Sequence, residues 1–369
     1  MKKWFSFSAL FLICACFEPV GMVFPTDKWT EAVPEEVDID SRSLDEAVNF
    51  LRDHSGRDGC EELMIVRSGR LIYKGDSIQK VHGIWSCTKS FTSTVLGLLI
   101  DENKAQLSTL AKTILPEMEK TYPSVLLSHF ATMTSGYKSV GDTATSGYTH
   151  GSSKTPFTPD TMPLFDPGTR YAYWDAAMNQ FAHILTTIAQ EPLDELFKRR
   201  IADPIGMNMD AWHWANFGTV NGTHVVGGAG NNSRGVFISA NELARFGLLL
   251  LNEGNWNGTQ LISKDWVRQA TKVQVPDTMQ LGTPLSTIDG IGVYGFNWWV
   301  NGVQSNGSRL WPDVPASTFA ASGYNNNKMF VIPTWDLVVV RLGLDDRDVT
   351  ITNSTWNDFL RRIGDAVAK

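Results

Sequence analysis

Residues 86–107 read SCTKSFTSTVLGLLIDENKAQL, and this stretch decides how the rest of the chain is read. From Ser86 to Ile100 nearly every residue is apolar or small, which predicts a helix buried on all sides. Asp101-Glu102-Asn103-Lys104 ends it. Ser86 heads the helix, where unpaired backbone N–H groups and the positive end of the helix favour developing negative charge. Lys89, three residues on, shares its face, so its amine can reach the hydroxyl. Phe91, Val95 and Leu96 limit hydration there, and burial lowers a lysine's pKa, which would leave a neutral fraction to act as base. The plainer alternative is a helix cap beside a partly buried lysine.

Ser-x-x-Lys occurs three times, at Ser77/Lys80, Ser86/Lys89 and Ser135/Lys138. Ser77 lies in a loop after a hairpin and Ser135 in a turn ending at Gly136. Only Ser86 heads a long apolar helix. No Gly-x-Ser-x-Gly elbow is present, so the other common route to a nucleophilic serine lacks support.

Outward from this helix, Ser43-Leu44-Asp45-Glu46 reads as a helix start capped by Ser43. Leu63 to Val66 and Leu71 to Tyr73, joined at Ser68-Gly69, read as a hairpin. Residues 105–234 alternate helical pieces with Pro, Gly, Ser and Thr loops. Gly227-Gly228-Ala229-Gly230 lacks the features of a dinucleotide loop and reads as a flexible connection between lobes. A helix follows over Ala240 to Leu251, then strands over Gly295–Val300, Lys328–Ile332 and Leu337–Leu342, and a closing helix over Asn353–Val367. Strands at both ends and helices between them imply an α+β fold. An antiparallel sheet over 41–104 and 235–369 is flanked by helices, with a helical lobe inserted over 105–234.

The chain's 369 residues are enough for a large core, and a net charge of -7 with scattered Lys and Arg argues against nucleic acid as a partner. At the start, Lys2 and Lys3 precede an apolar run from Trp4 to Phe17, the pattern of an export signal over 1–16. Ala15-Cys16 resembles a bacterial lipoprotein cleavage box, although Cys14 two positions earlier is unusual for it. Export to the periplasm and anchoring through a lipidated Cys16 are both open on this reading. Pro19, Pro25 and Pro34 suggest an extended linker over 17–40. Cys60 and Cys87 do not make a disulfide scaffold, the seven His are dispersed, and no metal or cofactor is implied.

Together with LLSHFATMTSGY over 126–137, residues 86–107 resemble the penicillin-recognising serine hydrolases: class C β-lactamases, penicillin-binding proteins and related esterases. FDPGTRYAYWDAAMNQ over 165–180 is similar to the family's second motif, Tyr-x-Asn after a Pro-Gly-Thr turn, with Tyr173 at the tyrosine and Asp175 where Asn is expected. Tyr171 competes for that place but is followed two residues on by Tyr173, a poorer fit. The resemblance implies that Tyr173 relays a proton between Ser86 and the leaving group, and Asp175 could pair with Lys89. The third motif, Lys-Thr-Gly or His-x-Gly, is best matched by Ala321-Ser322-Gly323-Tyr324. It implies an oxyanion hole built from the Ser86 and Tyr324 N–H groups, with Ser322 and Gly323 lining the pocket. Ala321 there supplies no cation for a substrate carboxylate. Trp174 is a further candidate pocket residue; most of the 13 Trp read as core.

YGFNWWV over 294–300 and ANELARFGLLLLNEGNWNGTQLISKDWV over 240–267 resemble the esterase-like and 6-aminohexanoate-dimer-hydrolase-like members. The expectation is acyl transfer through a Ser86 ester on small-molecule esters or small amides. Its rivals are a D-Ala-D-Ala carboxypeptidase or β-lactamase, and a binding domain without catalysis on the same fold.

Overall fold

The computed structural model describes residues 21–145, 148–231, 233–282, 288–345 and 351–367. The expected signal segment, with Cys14 and Cys16, lies outside them.

Seven strands form the main sheet: β1 (Thr30–Glu31), β2 (Glu62–Arg67), β3 (Arg70–Lys74), β4 (Trp299–Val300), β5 (Phe319–Ser322), β6 (Lys328–Ile332) and β7 (Leu337–Leu342). Their order across the sheet is β1-β3-β2-β7-β6-β5-β4. Every neighbouring pair is antiparallel except the edge pair β1/β3, which is parallel. The sheet is thus mixed at one edge where an antiparallel one was expected. The hairpin β2–β3 turns at Ser68-Gly69, and β7, from near the chain's end, docks on β2 with Val339 opposite Ile65.

Alternation along the strands divides the core in two. Ile65, Phe330 and Val339 face α1 (Ser41–His54) and the final long helix (Asn353–Val367), packing with Leu44, Leu51, Trp356 and Phe359. Met64, Met329, Val338 and Val340 face the other way, toward α2 (Thr88–Asp101), α3 (Asp175–Ala189) and α4 (Ala240–Leu251). Each such side chain is fully or nearly fully buried, contributing about 1.5–3 kcal/mol.

Local capping differs from expectation at α1. Asp40, not Ser43, caps it: its carboxylate accepts the Ser43 N–H at 2.8 Å, and the helix begins at Ser41. A carboxylate at this position also opposes the positive end of the helix dipole, which a serine hydroxyl would not. The lead-in expected as an extended linker carries β1 and a 3-10 turn over Pro34–Val37, with Trp29, Val37 and Ile39 buried. Within 105–234, short hairpins accompany the helices, among them Asn216–Val220 paired with Thr223–Val226.

Candidate active site

The backbone around Ser86 is tighter than a simple helix start. Trp85–Cys87 form a 3-10 turn, and α2 proper begins at Thr88. Trp85 has φ +52°, in the left-handed region that a bulky residue rarely adopts. The Cys87 N–H donates to Ile84 O at 3.2 Å and closes the turn. Ser86 is half-buried, whereas Lys89, one turn deeper in α2, is only 1% exposed.

Lys89 is the hub. Its Nζ donates to Ser86 Oγ at 2.8 Å and to Ala229 O at 2.8 Å, and lies 2.8 Å from Asp175 Oδ1. It also makes a side-chain hydrogen bond with Tyr173 and stands 4.6 Å from the centre of that ring. Tyr173 in turn lies against Trp299, 6.2 Å between ring centres, and Tyr294 at 6.3 Å. Ser86, Lys89, Tyr173 and Asp175 therefore converge, brought together by the start of α2 and the start of α3. The two other Ser-x-x-Lys pairs do not close up: Lys80 pairs with Glu62 and Lys138 with Asp160.

Burial is the largest influence on Lys89 and favours its neutral amine, as expected from the sequence. Attraction to Asp175 and Tyr173 outweighs it, so the lysine pKa is raised rather than lowered. Asp175 is the larger of the two influences: a carboxylate buried against the ammonium holds the proton that a neutral Asn would not. Burial likewise pushes the Asp175 carboxyl above the ordinary carboxylate value, with Lys89 opposing it.

Trp174 and Asp175, expected to line a pocket, are buried at 5% and 3% exposure. The Trp174 indole N–H donates to Asp142 Oδ2 at 3.0 Å, and the Ser139 N–H donates to the same oxygen at 2.8 Å. Trp174 thus anchors the 139–142 loop beside the site, and Asp175 serves Lys89.

The Gly227–Gly230 run is not a flexible connection. Its Ala229 N–H donates to Asn179 Oδ1 at 3.1 Å, and Thr92 Oγ1 donates to Gly228 O at 3.1 Å. α2 and α3 clamp the segment between them, aiming the Ala229 carbonyl at Lys89. Gly230 has φ +79°, and a Cβ there would stand 1.9 Å from Trp85 O. Ala229, Asn179 and Trp85 escaped sequence reading, because a carbonyl has no side-chain signature and a run of glycines reads alike whether loose or tightly packed.

Opposite the nucleophile turn runs the end of β5. A Cβ on Gly323 would stand 2.2 Å from Ile84 O and 3.3 Å from Cys87 N, so only glycine admits this approach. Ala321 is buried in the core and offers no cation. The lysine beside this strand end is Lys328, register partner of Ser322, whose Nζ donates to Ser322 Oγ at 2.6 Å. Burial lowers its pKa to about 8. Tyr324 is 46% exposed, its ring edge-on to Trp85 with centres 5.2 Å apart. Cys87, beside Ser86, is fully buried; burial pushes its thiol up to about 12, which leaves it inert as a nucleophile.

The Beta-lactamase family model matches residues 62–345, most of the chain and all of these side chains. The chain belongs to the β-lactamase family. Solved structures of similar fold include a 6-aminohexanoate-dimer hydrolase homologue from Bacillus anthracis, at TM-score 0.63 and 17% identity, covering 95% of this chain and 88% of that one. A penicillin-binding protein homologue from Caulobacter crescentus gives TM-score 0.63 and 14% identity, over 92% and 100% of the two chains. EstCE1, a hydrolase with promiscuous acyltransferase activity, gives 0.62 and 16%, over 89% and 99%. An uncharacterized protein of Alkalihalophilus pseudofirmus is 28% identical over 106 residues, a stretch that spans 29% of either chain. The family match, with hydrolases among the structures of similar fold, supports a β-lactamase-related hydrolase.

Proposed function

We propose that this hydrolase forms an acyl-enzyme at Ser86 and acts on esters or small amides. The observation that carries the reading is the 2.8 Å contact of a buried, carboxylate-paired Lys89 with Ser86 Oγ. A serine hydroxyl needs a base to become a nucleophile. In the pair Lys89–Asp175 the base has two parts. As Ser86 Oγ attacks the acyl carbon, its proton passes to Lys89 while Lys89 passes one to Asp175, whose raised pKa suits it to receive. The oxyanion is held by the Ser86 and Tyr324 N–H groups. Collapse expels the leaving group, which takes a proton from Tyr173; Tyr173 recovers one from Lys89, and Lys89 from Asp175. Lys89, Tyr173 and Asp175 return to their starting states with the acyl group on Ser86, and water repeats the sequence to release it.

The absence of a cation at Ala321 disfavours substrates that depend on a carboxylate there. On a panel of p-nitrophenyl esters, a cephalosporin and a D-Ala-D-Ala peptide, the esters should be turned over, with little or no lactam hydrolysis and no D-Ala release. Efficient cephalosporin turnover would overturn the substrate choice. The N-terminal pattern further supports export to the cell envelope, as a free or lipid-anchored protein.

A further inference from the structure

We infer that Trp85 and Tyr324 form an aromatic platform that selects esters carrying a flat apolar group; the inference rests on the acyl-transfer reading above and names its substrate class. Three observations meet here. Trp85 holds φ +52°, a conformation that glycine or asparagine adopts at far lower cost than tryptophan. The backbone is locked into it from both sides: Gly230 packs on Trp85 O, and the Cys87 N–H bonds back to Ile84 O. A strained bulky residue persists where its side chain is needed, and this indole is not needed for the core, because it is only half-buried.

Its ring partner supplies the second observation. Tyr324 is 46% exposed and meets Trp85 edge-on at 5.2 Å and 69°. Edge-on pairing of this kind orients both rings, and Tyr324 keeps close to half of its surface exposed.

The third is position. Trp85 directly precedes Ser86, and Tyr324 directly follows Gly323, which abuts the Ile84–Cys87 turn. The two residues thus sit beside the nucleophile in the chain path, one on the turn and one at the strand end, with their rings in contact. Among the described residues β4 pairs with β5 at Phe319 and Ala320 and stops there, while β6 on the other side pairs through Ser322. A planar apolar group on the substrate would lie on these rings with its ester carbon at Ser86 Oγ, replacing water on both surfaces.

The test compares 2-naphthyl acetate with ethyl acetate by pH-stat for wild type, Trp85→Gly and Tyr324→Ala, with titration of the non-hydrolysable 2-acetonaphthone in parallel. Because glycine accepts the backbone conformation, Trp85→Gly should melt no lower than wild type, which separates loss of the platform from loss of the fold. In Trp85→Gly kcat/KM for 2-naphthyl acetate should fall about five- to ten-fold, mostly through KM, while ethyl acetate changes less than about two-fold. In Tyr324→Ala, whose position also serves the oxyanion hole, the readout is the ratio of the two kcat/KM values, which should fall by the same factor. The ketone's affinity should fall in proportion. Equal losses on both esters, or no loss on either, would overturn the platform. If wild type hydrolyses neither ester, the acyl-transfer reading fails by itself, and the ketone titration still decides whether these rings bind an aromatic group.

Discussion

Asp175 changes the chemistry of Lys89 more than any other single residue. With a carboxylate 2.8 Å away, the lysine keeps its proton despite complete burial, so it works as the middle of a relay rather than as a free amine. The relay needs Asp175 ionised, which puts the acid limb of the rate profile at the Asp175 carboxyl, above the ordinary value of 3.8. Asp175→Asn removes that carboxyl and makes a neutral Lys89 the only base. The limb should then move upward by more than about one pH unit, toward a lysine that burial lowers from 10.5. A profile of kcat/KM against pH for the two proteins checks this; coincident acid limbs would remove Asp175 from the proton path.

At the scale of elements, the site is a seam between three pieces: the Trp85–Cys87 turn leading into α2, the start of α3, and the Gly227–Gly230 segment. Gly230 is the tightest joint, since any side chain there meets Trp85 O and must also hold φ +79°. Gly230→Ala should lower both the melting temperature and ester turnover, because the intruding methyl pushes the nucleophile turn away from Lys89. Thermal melts and steady-state rates on one preparation test it; unchanged turnover would show that the segment does not position the turn.

Much at this scale was legible in the sequence. α4, the final helix, β6 and β7 run over the ranges that periodicity gave, because each carries an unbroken apolar pattern of one period. Capping was less legible: Asp40 and Ser43 are both good caps, and only the fold shows which carboxylate or hydroxyl meets a free N–H. Of 295–300, only Trp299–Val300 form a strand, since an aromatic-rich run packs equally well as a turn. The Gly227–Gly230 run differs from its expected role because its glycines serve close packing, a cause invisible without the neighbours.

For the whole molecule, the two chain ends build one sheet and the intervening segment returns to its face. The nucleophile turn, the lysine helix and the β5 end meet at the sheet's border with that segment. The fold and family were legible because Ser86, Lys89, Tyr173 and Gly323 keep the order and spacing of the three motifs. The direction of the Lys89 pKa was not, because it depends on a pair of groups 86 positions apart. The central claim is that Ser86, hydrogen-bonded to Lys89, is the acylated residue. Intact-protein mass after treatment with a fluorophosphonate, followed by peptide mapping, tests it most directly. The account predicts one stoichiometric adduct on the peptide containing Ser86, absent in Ser86→Ala and formed far more slowly in Lys89→Met. An adduct that persists in Ser86→Ala, or none at any pH in the wild-type protein, would contradict it.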